Sequence, residues 1–169
     1  MDISNGESIG IALFVQGCKF KCKNCFNPET WDFNGGKEWT SEIEDKLIEL
    51  ANRPYIRRFS ILGGEPLADE NLDGVLHLVN RFRLLYPEKT IWLYTGYKLE
   101  HIINNSYYYH PQAEVCKNKR REIINLCNVV VDGQYIDSQR DISLKWRGSS
   151  NQRIWKNNNG IWEDITDNA

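Results

Sequence analysis

The stretch Gly10-Ile11-Ala12-Leu13-Phe14-Val15-Gln16-Gly17-Cys18-Lys19-Phe20-Lys21-Cys22-Lys23-Asn24-Cys25-Phe26 runs an apolar segment straight into a loop of three cysteines. The apolar part is short enough for a buried strand, and the loop has C-x3-C-x2-C spacing. These spacings let one tight loop reach three corners of an iron-sulfur cubane, and thiolates match the softness of its iron. A closed cluster or a structural zinc site takes four protein ligands, so three leave one metal corner open to a small molecule. A zinc knuckle or ferredoxin-like carrier is the competing reading. It requires a fourth ligand from Cys116, Cys127, His77, His101 or His110.

Outward from that strand, short apolar runs alternate with amphipathic segments, the pattern of strands joined by crossover helices. Strands are expected at Gly10 to Val15, Arg58 to Leu62, Thr90 to Tyr94 and Asn128 to Val131. Ser41-Glu42-Ile43-Glu44 matches a capping box and opens a helix to Asn52. A second helix is expected near Glu70 to Tyr86, on the stripe Leu72, Val75, Leu76, Val79 and Phe82, with His77 structural beside it. A third is expected from Asn118 to Leu126. Arg153-Ile154-Trp155 and Ile161-Trp162-Glu163 flank an Asn/Gly turn and read as a C-terminal β-hairpin. Tyr107, Tyr108 and Tyr109 are read as packing or interface residues. The whole is an α/β protein with a mainly parallel sheet, an incomplete, open β/α barrel, in one domain over residues 1–169. The chain falls well short of the roughly 250 residues of a closed eight-fold barrel. In such sheets ligands bind at the carboxyl ends of the strands.

Composition narrows the class. The net charge of -2, from 21 basic and 23 acidic residues, gives no overall field for nucleic acid or an anionic membrane. Met1 to Glu7 lacks a secretory signal pattern, and no run approaches the ~18 apolar residues of a membrane span. A soluble cytoplasmic protein is expected, where clustered cysteines bind metal rather than pair. Cys127 opens an apolar stretch and reads as a small buried hydrophobe.

Gly63-Gly64-Glu65-Pro66 follows the second strand. Two residues without Cβ allow close approach to the backbone, and Glu65 offers a carboxylate to an ammonium group. A plain turn is the alternative. Thr95-Gly96 ends the third strand, as pocket wall or loop start. Asp132-Gly133 ends the fourth, as a ribose-binding carboxylate or an Asp-Gly turn.

The cysteine loop and Gly63-Gly64-Glu65 together resemble the radical S-adenosylmethionine superfamily. Gly17 to Trp31, Gly63 to Leu67, Tyr94-Thr95-Gly96-Tyr97, Val130 to Gly133 and Arg147 to Arg153 narrow that to the activases of anaerobic ribonucleotide reductases. The resemblance implies a barrel of the radical S-adenosylmethionine type and a [4Fe-4S] cluster on Cys18, Cys22 and Cys25. It implies S-adenosyl-L-methionine held by Gly63, Gly64 and Glu65 at its amine, by Asp132 at its ribose, and by backbone contacts of Asn24, Cys25 and Phe26 at its adenine. Asn24 departs from the aromatic residue that much of the superfamily has there. No catalytic residue beyond cluster and cofactor is implied. The implied reaction is reductive cleavage of the cofactor to a 5′-deoxyadenosyl radical that takes hydrogen from a glycine of the reductase. Activation of another glycyl radical enzyme, such as pyruvate formate-lyase, is the nearest alternative. Arg147, Ser149, Asn151 and Arg153 would touch the reductase loop or the cofactor, or form a solvated turn. Lys19, Lys21, Lys23 and Lys37 surround the cysteine loop and read as a dock for an acidic electron donor such as reduced flavodoxin, or as solvated surface lysines.

Overall fold

The computed structural model describes residues 1–104 and 111–168. Tyr107, Tyr108, Tyr109 and His110 lie outside the described residues.

Six strands form one mixed sheet in sequence order: β1 (Gly10–Val15), β2 (Arg58–Gly63), β3 (Thr90–Thr95), β4 (Val129–Asp132), β5 (Arg153–Asn158) and β6 (Ile161–Asp164). The first four are parallel and the last two antiparallel, and the sheet does not close on itself. Between β5 and β6, Asn158 faces Ile161, and Asn159 and Gly160 take the positive φ that a two-residue connection demands.

Helices α1 (Ser41–Ala51), α2 (Leu72–Leu85), α3 (Leu99–Ile103) and α4 (Pro111–Leu126) lie in the crossovers. The ends of β2, β3 and β4 fall one residue beyond the expectation and that of β5 three residues beyond it, α2 is shorter at both ends, and the cap of α1 and the start of α4 also differ. Thr40, not Ser41, caps α1, its hydroxyl accepting from Ile43 N at 3.4 Å. Helix α4 begins at Pro111 rather than Asn118, a proline being pre-shaped for the first helical position.

Strand alternation separates two cores. On the helix side, Ile11, Phe59, Ile61, Ile91, Leu93 and Val130 pack with Ile48, Leu78, Phe82 and Ile123. On the helix-free side, Trp92, Val129, Val131 and Ile154 pack with Tyr94 and Trp146. The N-terminal segment is tied to that second face by Arg58. Its fully buried guanidinium donates to Glu7 O at 2.9 Å and to Asp2 Oδ2 at 2.6 Å, and also bonds Ser60 Oγ. A buried charge needs this many acceptors to offset its desolvation.

This layering leaves the carboxyl ends of β1 to β4 side by side. The loops that leave Val15, Gly63, Thr95 and Asp132 meet there.

Candidate functional site

A cavity of about 450 Å³ opens at those strand ends. Its wall includes Cys18, Cys22, Cys25, Phe26, Gly63, Gly64, Glu65, Gly96, Arg147 and Gly148. The cysteine loop is held by backbone bonds: Gly17 N donates to Thr30 O at 2.8 Å and Cys18 N to Trp31 O at 3.0 Å. Gly17 sits at φ +96°, and a Cβ there would lie 2.1 Å from the Phe33 ring. The thiols are half-buried and unpaired by disulfides. Burial pushes the Cys18 and Cys22 thiols up, and the neighbouring thiols push both further. Among the described residues no three His, Cys, Asp or Glu side chains converge on a single-ion site. A cubane asks for less convergence, because each corner ligand binds its own iron.

The glycine corner locks onto this loop. Gly64 N donates to Val15 O and Glu65 N to Gly17 O, both at 2.8 Å. A Cβ on Gly64 would lie 2.5 Å from Gly17 O and 2.8 Å from Thr30 O, so only glycine fits. The Glu65 carboxylate, 2% exposed, accepts from Leu67 N at 2.8 Å, Thr95 Oγ1 at 2.8 Å and Gly96 N at 2.7 Å. Burial pushes it up to about 7, against those three donors. One lone pair on Oε2 remains for a ligand.

Several expected site residues lie elsewhere. Asp132 is fully buried and does not line the cavity. Its carboxylate accepts from Leu99 N at 2.7 Å, at the start of α3, and from Arg153 Nε at 3.0 Å. It braces β4, β5 and α3. Arg153 is consumed by the same brace, bonding Asp132 and Glu100, and both carboxylates push its guanidinium upward. Asn24 is exposed and donates to Asp137 Oδ2 at 2.8 Å rather than facing the cavity. Ser149 and Asn151 are also off the wall. Ser149 Oγ accepts from Ile136 N, and Asn151 Nδ2 donates to Gln134 O at 2.8 Å, so they shape the 133–136 loop. Arg147 does line the cavity, its guanidinium donating to Ser150 O and Gln152 O. Lys21, Lys23 and Lys37 are exposed, whereas Lys19 is paired with Glu70 at 2.5 Å.

Comparison with known proteins agrees with this constellation. Residues 4–155 match the family model described as a 4Fe-4S single cluster domain. The chain is 38% identical over 156 residues to the anaerobic ribonucleoside-triphosphate reductase-activating proteins of Salmonella typhi and Escherichia coli K12, covering 91% of this chain and 92% of each relative. It is 34% identical over 164 residues to the protein of that name from Enterobacteria phage T4, covering 96% of this chain and 93% of the relative. The chain belongs to the anaerobic ribonucleoside-triphosphate reductase-activating protein family. No solved structure matches it.

In this family member, sequence reasoning missed part of the wall: Phe14, Phe20, Trp31, Tyr94, Tyr135, Trp146 and Gln152. The strand register puts Phe14 and Tyr94 on one sheet face, which alternation within a single strand does not reveal. Phe26 does meet the wall, packed on Tyr135 with ring centroids 5.0 Å apart. No described helix is long and apolar enough to cross a membrane.

Proposed function

We propose that this protein activates an anaerobic ribonucleotide reductase by reductive cleavage of S-adenosyl-L-methionine, the resulting 5′-deoxyadenosyl radical taking a hydrogen atom from a reductase glycine. The observation that carries this reading is the opening of three thiols and the Gly63-Gly64-Glu65 corner onto one cavity at the parallel strand ends. In atoms and electrons, one electron breaks the sulfonium–C5′ bond to give methionine and the nucleoside radical. Hydrogen transfer then leaves 5′-deoxyadenosine and a glycyl radical.

The donor set fits the cluster: Cys18, Cys22 and Cys25 supply three soft ligands on one loop. When bound, a [4Fe-4S] cluster supplies the electron. Cys116 and Cys127 belong to the helix-side core and not to the cavity wall, which supports a metal corner free for the cofactor and weighs against a four-thiolate carrier. Glu65 keeps one lone pair for the methionyl ammonium, and Gly63 and Gly64 let it approach the backbone. Phe26, Cys25 and the 133–135 loop form the wall suited to adenine.

The open sheet supports assignment to the incomplete barrel of the radical S-adenosylmethionine type. An unclosed flank admits a loop of a folded partner, and Arg147, held by two carbonyls at the wall, presents its remaining N–H groups to that loop. Lys21, Lys23 and Lys37 favour an acidic electron donor such as reduced flavodoxin.

The test is anaerobic: reconstituted protein, dithionite, S-adenosylmethionine and the large subunit of an anaerobic reductase. A glycyl doublet in electron paramagnetic resonance with stoichiometric 5′-deoxyadenosine supports the reading. Transfer to pyruvate formate-lyase instead would move the protein to the alternative partner.

A further inference from the structure

Two loops that leave non-neighbouring strands meet beside the cavity. The cysteine loop leaves β1 and the 133–137 loop leaves β4, with β2 and β3 between them. Cys22, Cys25 and Phe26 of the first and Gly133, Gln134 and Tyr135 of the second line the same cavity. The line where the loops touch is therefore a seam in its wall. Among the described residues no backbone–backbone hydrogen bond crosses that seam. Asn24 Nδ2 donates across it to Asp137 Oδ2 at 2.8 Å, and Tyr135 Oη donates to Asp137 Oδ1 at 3.1 Å. Tyr135 thus steadies the carboxylate within its own loop while Asn24 reaches it from the other side. Phe26 packs on Tyr135 with ring centroids 5.0 Å apart, and the Arg140 guanidinium lies 5.3 Å from the Phe26 ring centroid.

The start of the cysteine loop is fixed differently. There Gly17 N donates to Thr30 O and Glu65 N to Gly17 O, both at 2.8 Å and both from the backbone. The loop therefore has one flank anchored by main chain and one held by the Asn24–Asp137 bond, which is exposed to solvent. An exposed side-chain bond exchanges readily with water and has a small net worth. The seam accordingly opens at far lower cost than the glycine corner, as a local event within a folded protein. Asn24 suits this position because it sits at φ +54°, a left-handed conformation that asparagine enters more readily than most residues.

We propose that Asn24 and Asp137 form a latch across this seam, and that its opening and closing set how fast a nucleoside ligand enters and leaves the cavity. This rests on the proposed function for the identity of the ligand, S-adenosylmethionine. Neither residue lines the cavity, so both are positioning residues: they hold two parts of the wall together and touch no reacting atom.

The experiment follows association of S-adenosylmethionine with reconstituted holoprotein, and its dissociation, by stopped-flow fluorescence. Wild type, Asn24→Gly, Asp137→Ala and the double variant are compared, with iron content measured in each. Glycine is used at position 24 because it accepts the positive φ there. Each single variant is expected to release the ligand about threefold to tenfold faster, the scale of one net hydrogen bond, to bind it faster as well, and to keep wild-type iron content. The double variant should be no faster than the faster single variant, as partners in one interaction require. Wild-type rates in the single variants, or additive effects in the double, overturn the latch while leaving the proposed function intact. Faster release with unchanged association does the same, because it marks a direct ligand contact rather than a latch. If Asn24→Gly loses its iron, Asp137→Ala decides by its two rates, and iron loss in both variants overturns the latch in favour of a role in holding the cluster. Failure of the wild type to bind S-adenosylmethionine overturns both readings.

Discussion

Thr95 donates its hydroxyl to Glu65 Oε1 at 2.8 Å, joining the carboxyl ends of β2 and β3 through a carboxylate that also takes the Leu67 and Gly96 amides. Three donors converge on an acceptor-only group. In Glu65→Gln the amide NH2 must face at least one of them. The variant is therefore expected to lose about 1–3 kcal/mol of stability for each donor left unpaired, measured by urea unfolding well above pH 7, where the carboxylate is ionised. A variant as stable as the wild type would show that the carboxylate is not what holds the corner.

The same group sets a pH dependence. Burial lifts Glu65 from its ordinary 4.5 to about 7, so the folded protein holds this proton more tightly than the unfolded chain. Stability from this residue is then fullest below pH 4.5, declines as pH rises between 4.5 and 7, and levels off above. The wild-type advantage over Glu65→Gln should shrink across that window when unfolding is followed at several pH values. A constant difference would place the Glu65 titration at its ordinary position.

Cys127 is buried in the helix-side core, its thiol donating to Ile123 O at 3.2 Å and pushed up to about 12 by burial. Cys116 belongs to the same core. Alanine at either position should leave iron and sulfide content after reconstitution unchanged, with a modest drop in melting temperature from the small void. Alanine at Cys18, Cys22 or Cys25 should abolish cluster absorption. Iron loss in Cys116→Ala or Cys127→Ala would restore the four-ligand module.

The parallel part of the fold was legible because each of β1 to β4 is a compact apolar run, whereas β5 runs three residues past the expected Trp155 because its end, Lys156-Asn157-Asn158, is polar and reads as turn. The start of α4 was not, since its first turn has few apolar residues and the sequence pattern becomes periodic only later. Cysteines and glycines announced themselves because their chemistry is local. The pairing of Asp132 with Arg153 was not legible for the opposite reason: Arg153 arrives from the antiparallel neighbour, directly opposite in register, and no short motif encodes that encounter.

Glycine content offers the sharpest contrast between site and scaffold. Gly64 sits where a Cβ would meet the Gly17 and Thr30 carbonyls at 2.5 and 2.8 Å, and those same oxygens accept from Glu65 N and Gly17 N. Backbone fixed by its own hydrogen bonds cannot yield cheaply, so Gly64→Ala should cost about 1–3 kcal/mol by overpacking and reduce cluster loading by displacing the cysteine loop. Gly74, inside α2, has nothing within 4 Å of a Cβ. Alanine there should stabilise the helix by about 1 kcal/mol and leave cluster loading untouched. Melting temperatures of the two variants should move in opposite senses, and iron content should fall in Gly64→Ala alone. Equal iron content in both would mean that the glycine corner and the cysteine loop are not mechanically linked, against the 2.8 Å bond from Glu65 N to Gly17 O.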